Sequence, residues 1–377
     1  MLHVERKNVM TLTLPLSSEE LPEALRRFCD VQAPERTRQV AAKGLVPVKG
    51  AELAAVLLQL MHDPVQAIAD SARATFEAAP PAVIEAACDA PLHPAFLEAL
   101  VRKVAGKDDL LERILLNPAL ALDTVVIIAR SCSERIAERV ALNEERVLQQ
   151  PLIIEALYKN RTTRMSTVDR LIELAVRHGI TLDGIHTFEA HALAIQGQLI
   201  PEPTEEALPG DMIFSEALDL DGIEEALSVD AEEGTEEVKE KYKPLVFQIQ
   251  SMTFAEKLRL CVAGNAGARG LLVRDPNKIV AMNAVSSPSV TENEATGIAN
   301  SRQVGEEVLR FVGNKREWMG NYEIKKSLVF NPKTPVAISM KFLAHLQLAD
   351  LRTLSRSRGI PTALKTLALQ RVAKKDS

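Results

Sequence analysis

Cysteine, aromatic side chains and long apolar runs are all scarce in this chain of 377 residues. Its four cysteines, Cys29, Cys88, Cys132 and Cys261, are widely separated. They form no C-x-x-C pair, which argues against a disulfide framework and favours a reducing compartment. Aromatic residues make up only 4%, which favours helices packed on helices over β-sheets. Because no run approaches the ~18 apolar residues of a spanning helix and the N-terminus lacks a signal-peptide core, we predict a soluble cytoplasmic protein.

Sequence signatures of catalysis are also missing. The chain has no H-E-x-x-H, P-loop, G-x-S-x-G or EF-hand motif. Gly264, Gly267 and Gly270 are the nearest approach to a phosphate-binding loop. A dinucleotide fingerprint must follow a strand, whereas these glycines follow a helix-like run, so an interhelical turn is favoured.

Histidine and cysteine give no stronger indication of a site. His186 and His191 lie five residues apart, a loose spacing for two metal ligands on one helix face, so polar residues at the end of a domain are favoured. Cys132 precedes a predicted helix, which can lower a thiol pKa, but a half-buried structural cysteine is favoured. We therefore predict no catalytic residue, no metal and no cofactor.

Charge is unevenly distributed along the chain, although hydrophobic content of 46%, charged content of 25% and a net charge of −6 are typical of a globular protein. Residues 245–377 hold 20 Lys and Arg against 10 Asp and Glu, a net charge of +10. Residues 195–244 hold 15 acidic and 3 basic side chains, a net charge of −12. An acidic strip therefore separates the first half of the chain from a basic second half.

The acidic strip, residues 195–244, has two interpretations. Its prolines, glycines and like charges favour a flexible linker. Acidic residues that alternate with large apolar ones are also typical of a segment that folds as a short helix against a basic surface. The apolar residues that define this candidate regulatory motif are Ile213, Phe214, Leu218, Ile223 and Leu227. We expect residues 211–228 to contact the basic C-terminal domain.

On both sides of the strip, apolar residues recur at three- and four-residue spacing, which predicts short amphipathic helices. Four S/T-x-x-E sequences fit capping boxes at helix starts: Ser17 with Glu20, Ser131 with Glu134, Thr253 with Glu256, and Thr291 with Glu294. Helices of about ten residues are marginal alone, so many in series indicate stacking.

The two halves of the chain align with each other. Four residues recur after 170 positions, and they are Pro118, Ile128, Ala129 and Ser131. Six more recur after 171 positions, and they are Arg139, Asn143, Ile153, Leu157, Asn160 and Thr163. The last of these recurs as Thr334, which with Pro335 reads as an N-cap followed by a first-turn proline. This constant offset predicts an internal duplication.

A shorter period lies within the first half, where Pro64, Pro91 and Pro118 are 27 residues apart. Such a period with Pro-marked turns is typical of a helical solenoid. The strings ILLNPALALDTVVIIA, LLVRDPNKIVAMNAVSSPSV and SLVFNPKTPVAISMKFLA resemble leucine-rich-repeat-variant and HEAT-like units over 50–194 and 254–377. The resemblance implies a stacked α-array that binds macromolecules. The scattered cysteines do not match the iron–sulfur cluster known beside some variant-repeat arrays.

The strongest local cluster of functional residues is basic and lies in GNKREWMGNYEIKK. Its candidate partner-binding residues are Lys315, Arg316, Trp318, Tyr322, Lys325 and Lys326. Three interpretations stay open: an ordinary solvated face with Trp318 as a buried interhelix plug, a surface for an acidic protein segment, or a phosphate-binding stripe with stacking aromatics.

Together these features predict an all-α fold of two homologous α-solenoid domains, built from short helical hairpins and joined by an acidic flexible linker. The expected boundaries are an N-terminal extension at 1–17, a helical-repeat domain at 18–194, the linker at 195–244 and a basic helical-repeat domain at 245–377. We expect a non-enzymatic scaffold or adaptor that binds a protein partner along its repeat surface. The alternatives are nucleic-acid binding by the basic array and a helical-repeat enzyme that acts on a macromolecule.

Overall fold

The computed structural model describes residues 14–198, 206–218, 227–229, 236–238, 243–357 and 359–376. The chain divides into two compact units. Unit 1 comprises residues 1–163 and 170–185, and unit 2 comprises residues 164–169 and 186–377. The boundary runs through one helix, Met165–Arg177.

The secondary structure described for unit 1 consists of helices joined by turns. Its helices are α1 Glu23–Cys29, α2 Glu35–Ala42, α3 Ala51–Leu60, α4 Gln66–Glu77, α5 Pro81–Asp89, α6 Pro94–Lys103, α7 Asp108–Leu115, α8 Leu122–Ala129, α9 Glu134–Leu142, α10 Glu144–Gln149, α11 Leu152–Lys159 and α12 Met165–Arg177, the helix shared with unit 2.

Unit 2 is helical apart from one small hairpin. Its elements are α13 Phe188–Ile195, α14 Pro209–Leu218, β1 Leu227–Val229, β2 Glu236–Val238, α15 Lys243–Ser251, α16 Phe254–Ala263, α17 Ala266–Leu272, α18 Lys278–Ser286, α19 Glu292–Asn300, α20 Glu306–Asn314, a 3-10 helix Arg316–Gly320, α21 Tyr322–Phe330, α22 Val336–Leu343, α23 Leu348–Arg356 and α24 Thr362–Asp376. The two strands pair antiparallel, with Ser228 opposite Glu237. The prediction of an all-α fold is confirmed, because helices build the core of both units.

The predicted acidic linker contains secondary structure, namely α14 and the β1–β2 hairpin. At the N-terminus, Leu16 is buried, and its backbone exchanges two hydrogen bonds of 2.9 Å with the side chain of Gln59. The domain boundaries drawn from the sequence stay a prediction. In the described part of the chain, no helix is long and apolar enough to cross a membrane.

Alternate helices contact each other in both units. In unit 1, α1, α3, α5, α7 and α9 touch in succession, and α6, α8 and α11 form a second series. In unit 2, α16, α18 and α20 form one series, and α17, α19 and α21 form another. The helices of these series therefore pack against the helix two or three positions along the chain, and several also pack against their sequence neighbours. This arrangement supplies the burial that a single short amphipathic helix lacks.

The predicted capping boxes are confirmed at two of four positions. The hydroxyls of Thr253 and Thr291 each accept a hydrogen bond from the backbone N–H of the third helical residue, a glutamate. The carboxylate of that glutamate accepts in turn from the backbone N–H of the threonine. The N-cap of α9 is Ser133 and not Ser131. Ser17 does bond Glu20, but a turn follows it instead of a helix. At α9, Ser131 and Ser133 lie in the same turn, and the helix begins after the second serine. At Ser17, the capping bond forms, but a cap alone does not propagate a helix.

Buried asparagines join successive interhelical turns. The amide nitrogen of Asn331 donates to the carbonyls of Ala299 and Ser301, both at 2.8 Å, and its amide oxygen accepts from the Lys333 N–H at 3.0 Å. These carbonyls belong to the end of α19, where no intrahelical donor is left for them. One carboxamide therefore closes its own turn and satisfies the turn before it.

The same arrangement recurs at two asparagines of unit 1. Asn117 donates to the carbonyls of Cys88 and Ala90 at 2.8 and 2.7 Å. Asn160 donates to Ala129 and Cys132 at 3.0 and 3.1 Å. The carboxamide geometry is thus a feature of several turns and not of one.

Aspartate occupies the corresponding turn position at Asp63 and Asp275, and it needs a different partner. One oxygen of Asp275 accepts from the Asn277 N–H at 2.8 Å, as the asparagine oxygen does. A carboxylate has no N–H to offer to the preceding turn, so its other oxygen pairs with Lys257 at 2.9 Å. Asp63 likewise pairs with the buried Arg38. In both turns, a cation from an earlier helix pairs with the carboxylate.

We predict that Asn331→Asp lowers the free energy of unfolding by about 3 kcal/mol, because a carboxylate would face two carbonyl oxygens without a donor. The measurement is urea denaturation followed by the fluorescence of Trp318, the single tryptophan, which lies in the same unit. The control is Asn314→Asp, an exposed residue. Equal stability of the two variants would contradict a stabilising role for the Asn331 carboxamide.

All four cysteines are buried and unpaired. Burial raises the pKa of Cys29 and Cys132 to about 12 and that of Cys88 to about 11, and it also raises the pKa of Cys261. The helix-activated alternative for Cys132 is therefore wrong, because burial outweighs the helix terminus. It is fully buried, at 5% exposed, where a half-buried residue is expected from the sequence.

We predict that none of the four thiols reacts quickly with an aromatic disulfide reagent at pH 8 while the protein is folded, and that all four react after unfolding. A raised pKa keeps the thiol protonated until the pH approaches the raised value, so moving from pH 7 to pH 9 leaves the folded protein unreactive. A single thiol that reacts in the folded protein at the rate of free cysteine would contradict this.

Candidate partner-binding surface

Trp318 lies inside unit 2, on the 3-10 helix Arg316–Gly320. Its side chain is 3% exposed, and its ring meets Phe311 edge-on at 6.3 Å between centroids. The Lys315 ammonium lies 4.0 Å from the ring centroid, a cation–π contact. The ring therefore fills a gap beside α20, as the interhelix-plug interpretation predicts, and it offers no face for a base to stack on.

Tyr322 and Lys326 tie α21 to α23 through one carboxylate. The Tyr322 hydroxyl donates to Asp350 and accepts from the Gln347 N–H at 3.0 Å, and the Lys326 ammonium lies 3.2 Å from the other Asp350 oxygen. Burial, followed by the hydrogen bond to Asp350, raises the pKa of Tyr322. The Asp350 carboxylate also raises the pKa of Lys326. These two predicted binding residues have a structural partner.

Arg316 and Lys325 remain available among the six candidate residues. Arg316 is exposed and Lys325 is partly exposed, and neither forms an ion pair with any described residue. Lys315 also contacts Glu317 at 3.8 Å, so its charge is shared between a ring and a carboxylate. The structure therefore gives four of the candidates a side-chain partner and leaves the charges of Arg316 and Lys325 without one among the described residues.

The acidic-strip motif contributes two side chains to the core of unit 2. Phe214 and Leu218 on α14 are 2% and 3% exposed, whereas Ile213 is partly exposed. The guanidinium of the fully buried Arg259 lies 4.6 Å from the centre of the Phe214 ring. Ile223 lies outside the described residues, and Leu227 lies on β1.

α14 is attached to α16 and to the start of α12. The carboxylate of Asp211 accepts from the N–H and the hydroxyl of Ser166, both at 2.9 Å, and so caps the first turn of α12. At the other end of α14, the Asn265 amide donates to the Leu218 carbonyl at 3.1 Å. The described part of the strip therefore contacts α12, α16 and the turn after α16.

His191 is a core residue and not a polar residue at the end of a domain, so the sequence-based interpretation of this histidine is wrong. It is 0% exposed, and its Nε2 lies 2.7 Å from a carboxylate oxygen of Asp169. The carboxylate on α12 supplies the partner that a buried imidazole needs, and five-residue spacing does not reveal it. Among the described residues, no group of three or more His, Cys, Asp and Glu is placed to hold a metal ion.

Sequence patterns did not indicate a further surface on α22. Its exposed face carries Val336 and Met340, each 40% exposed, together with Ala337, Lys341 and Ala344. Spacings of one and four residues place these side chains on one side of the helix. The sequence does not reveal this surface, because α22 has apolar residues on both of its sides. Periodicity alone cannot show which of the two sides faces outward.

An open concavity of about 570 Å³ adjoins the start of α22. It is lined by Glu306 and by the segment Pro332, Lys333, Thr334, Pro335, Val336 and Ala337. Pro335 is the N-cap of α22, with no side chain bonded to the helix start. The expectation that Thr334 is the N-cap is therefore wrong; it lies one residue earlier and is 4% exposed.

No protein-family model, curated protein or solved structure matches this chain. The likeness to leucine-rich-repeat-variant and HEAT-like units stays a prediction. The function proposed below therefore rests on the side chains of this protein.

Charges in residues 245–375 are unequally engaged. Eight of the nine described carboxylates have a polar partner within this part of the chain. Among the described residues, eight cations have no carboxylate partner, and they are Arg316, Lys325, Lys333, Lys341, Arg356, Lys365, Arg371 and Lys374. The net positive charge of this part is therefore carried by side chains that no internal acid neutralises.

We predict that Trp318→Ala lowers the free energy of unfolding by about 3–5 kcal/mol, because it removes a buried ring and its packing against Phe311. Chemical denaturation followed by circular dichroism measures the loss. In the unaltered protein, we expect a blue-shifted Trp318 emission that acrylamide quenches poorly and single-stranded oligonucleotides leave unchanged. Quenching by an oligonucleotide at low salt would contradict the buried position.

Proposed function

We propose that this protein is a non-enzymatic cytoplasmic scaffold or adaptor that binds a protein partner along the surface of stacked helical repeats. The uncompensated cations on the surface of residues 245–375 carry the proposal, because they favour an acidic ligand. Four unpaired thiols fit a reducing compartment. The domain boundaries at 18–194 and 245–377 belong to the same proposal.

The contacts between helices support a repeat architecture. On the surface of unit 1, Arg113 on α7 pairs with Asp89 on α5 at 2.6 Å, and Arg135 on α9 pairs with Asp109 on α7 at 2.9 Å. An arginine from the later helix thus joins α7 to α5 and α9 to α7. Such nearest-neighbour links are typical of arrays in which every unit contacts only adjacent units.

Equivalent contacts support the internal duplication. The series α6, α8 and α11 of unit 1 corresponds to α17, α19 and α21 of unit 2 in order and in alternate contact. Under the 170- and 171-residue offsets, Asn160 aligns with Asn331, and Ala129 aligns with Ala299. Both asparagines donate to the aligned alanine carbonyl, at 3.0 and 2.8 Å. Aligned residues that make the same bond are expected of two copies of one ancestral array.

Protein binding is favoured over nucleic-acid binding by the state of the aromatic residues. Stacking on single-stranded bases requires an open aromatic face. Trp318 is enclosed, and Tyr322 is held by Asp350. The exposed apolar stripe of α22 suits hydrophobic side chains of a protein and has no counterpart in a phosphate backbone.

The proposal is tested by affinity capture with the 377-residue chain as bait, in a nuclease-treated lysate of the cells in which the protein naturally occurs. We predict that wild-type protein retains a protein partner and that Arg316→Glu/Lys325→Glu retains clearly less, because the change removes attraction for an acidic surface. Lys326 is left intact, since its loss would unpair Asp350.

The matched control is Lys43→Glu/Lys49→Glu, which changes two exposed lysines of unit 1 by the same charge. It should retain the partner as well as wild type does. In a parallel capture without nuclease, retention of nucleic acid but of no protein would favour the nucleic-acid alternative. The absence of any retained protein at low salt would contradict the scaffold.

A further inference from the structure

The outward face of α22 is apolar and lies between two uncompensated cations. Val336, Ala337 and Met340 are exposed on it, whereas Ile338 and Phe342 on the opposite side are buried. Lys333 precedes the helix and Lys341 lies within it, and neither has a carboxylate partner among the described residues. The Lys341 ammonium is 5.2 Å from the centre of the Phe342 ring.

The beginning of α22 adds three features suited to a carboxylate. No side chain caps this helix start. The Ile338 N–H bonds the Pro335 carbonyl at 2.9 Å, which leaves the N–H groups of Val336 and Ala337 for solvent or a ligand. Lys333 lines the concavity there. Thr334 lines it as well, and its buried hydroxyl has no hydrogen-bond partner among the described residues. A buried hydroxyl without a partner is costly unless a ligand or water completes it.

The concavity has one acidic lining residue, Glu306, and its charge is offset by a neighbouring arginine. Glu306 lies 2.6 Å from the guanidinium of Arg310, so its charge is already paired. The concavity therefore combines a cation, a helix N-terminus and an unpaired hydroxyl with an adjoining apolar stripe.

Charge decides which occupant fits. A second copy that docked through this same surface would bring its lysines against Lys333 and Lys341, so like charges would repel. A nucleic acid would satisfy the cations but leave Val336 and Met340 against a charged backbone. An amphipathic helix with acidic and large apolar residues complements both parts at once.

We propose that the α22 surface, defined as Lys333, Thr334, Val336, Met340 and Lys341, binds an acidic amphipathic helix of a partner protein, with one carboxylate at the start of α22. This inference rests on the proposed function and names the partner class and its location. The partner's apolar residues lie along Val336 and Met340, and its acids face the two lysines.

The probe is a fluorescein-labelled synthetic peptide of about 18 residues, or about five helical turns, with leucine at i, i+3, i+4 and i+7 and Glu or Asp elsewhere. A second peptide replaces every acid by Gln or Asn. Binding to the full chain is measured by fluorescence anisotropy at low and high salt. We expect the acidic peptide to bind and the neutral peptide to bind more weakly.

Two surface variants with matched controls locate the site. Met340→Glu should weaken binding about tenfold, because a charge replaces a buried apolar contact. Ile279→Glu, which changes a 51% exposed residue of α18, should leave binding unchanged. Lys333→Glu should weaken binding about fivefold at low salt and less at high salt, because salt screens exposed charges. Lys49→Glu should have no effect.

Thr334→Val separates binding from folding. It replaces an unpaired buried hydroxyl by a methyl group of similar shape, so Tm should stay equal or rise, while the peptide binds about threefold more weakly for want of one hydrogen bond to a charged group. A fall in Tm with unchanged peptide affinity would assign the hydroxyl to the fold and overturn its role in binding.

Three results would overturn the inference. The first is wild-type affinity in both Met340→Glu and Lys333→Glu. The second is an oligonucleotide that binds this surface when the peptide does not. The third is tighter peptide binding after neutralisation of the acids at 219–225, which would make the chain's own strip the occupant. If Met340→Glu still captures the partner protein, only this inference fails and the scaffold function stands.

Discussion

The carboxamide of Asn331 carries out two tasks that a run of short helices cannot do without. It ends one interhelical turn through its oxygen, and it satisfies the free carbonyls of the preceding turn through its nitrogen. Helices of eight or nine residues have a large fraction of their backbone groups at their ends. Buried turns are therefore stable only if side chains from neighbouring turns supply the missing partners. Asn117 and Asn160 meet the same need in unit 1.

This constraint also explains where acids and bases are found. Asp275 in a turn requires Lys257, and Glu294 at a helix start accepts from Arg269 at 2.8 Å. Carboxylates serve as caps and as turn residues because they accept hydrogen bonds from N–H groups. Most acids in residues 245–375 are thus used internally. The remaining cations lie at the surface and give it a sign that favours acidic ligands.

The candidate site differs from its sequence-based prediction for the same reason. The cluster around Trp318 has the residue types of a binding surface, but the aromatic rings are the largest available fillers between helices. Asp350 then pairs with Lys326, although the two are far apart in sequence. Spacing along the chain shows which residues share a helix and cannot show what the next helix places opposite them. Of the six candidates, only Arg316 and Lys325 keep a side chain without a described partner.

The sequence by itself determined that the chain is helical and where several helices begin, because periodicity and caps are local properties of neighbouring residues. The equivalence of Asn160 and Asn331 stays a prediction from the 171-residue offset. Tertiary structure decided which charges are neutralised, that Phe214 and His191 lie in the core, and that Val336 and Met340 face outward. Each of these depends on side chains from helices distant in sequence. Burial and ion pairing depend on the residues of the neighbouring helices, and these are brought together only when the chain folds.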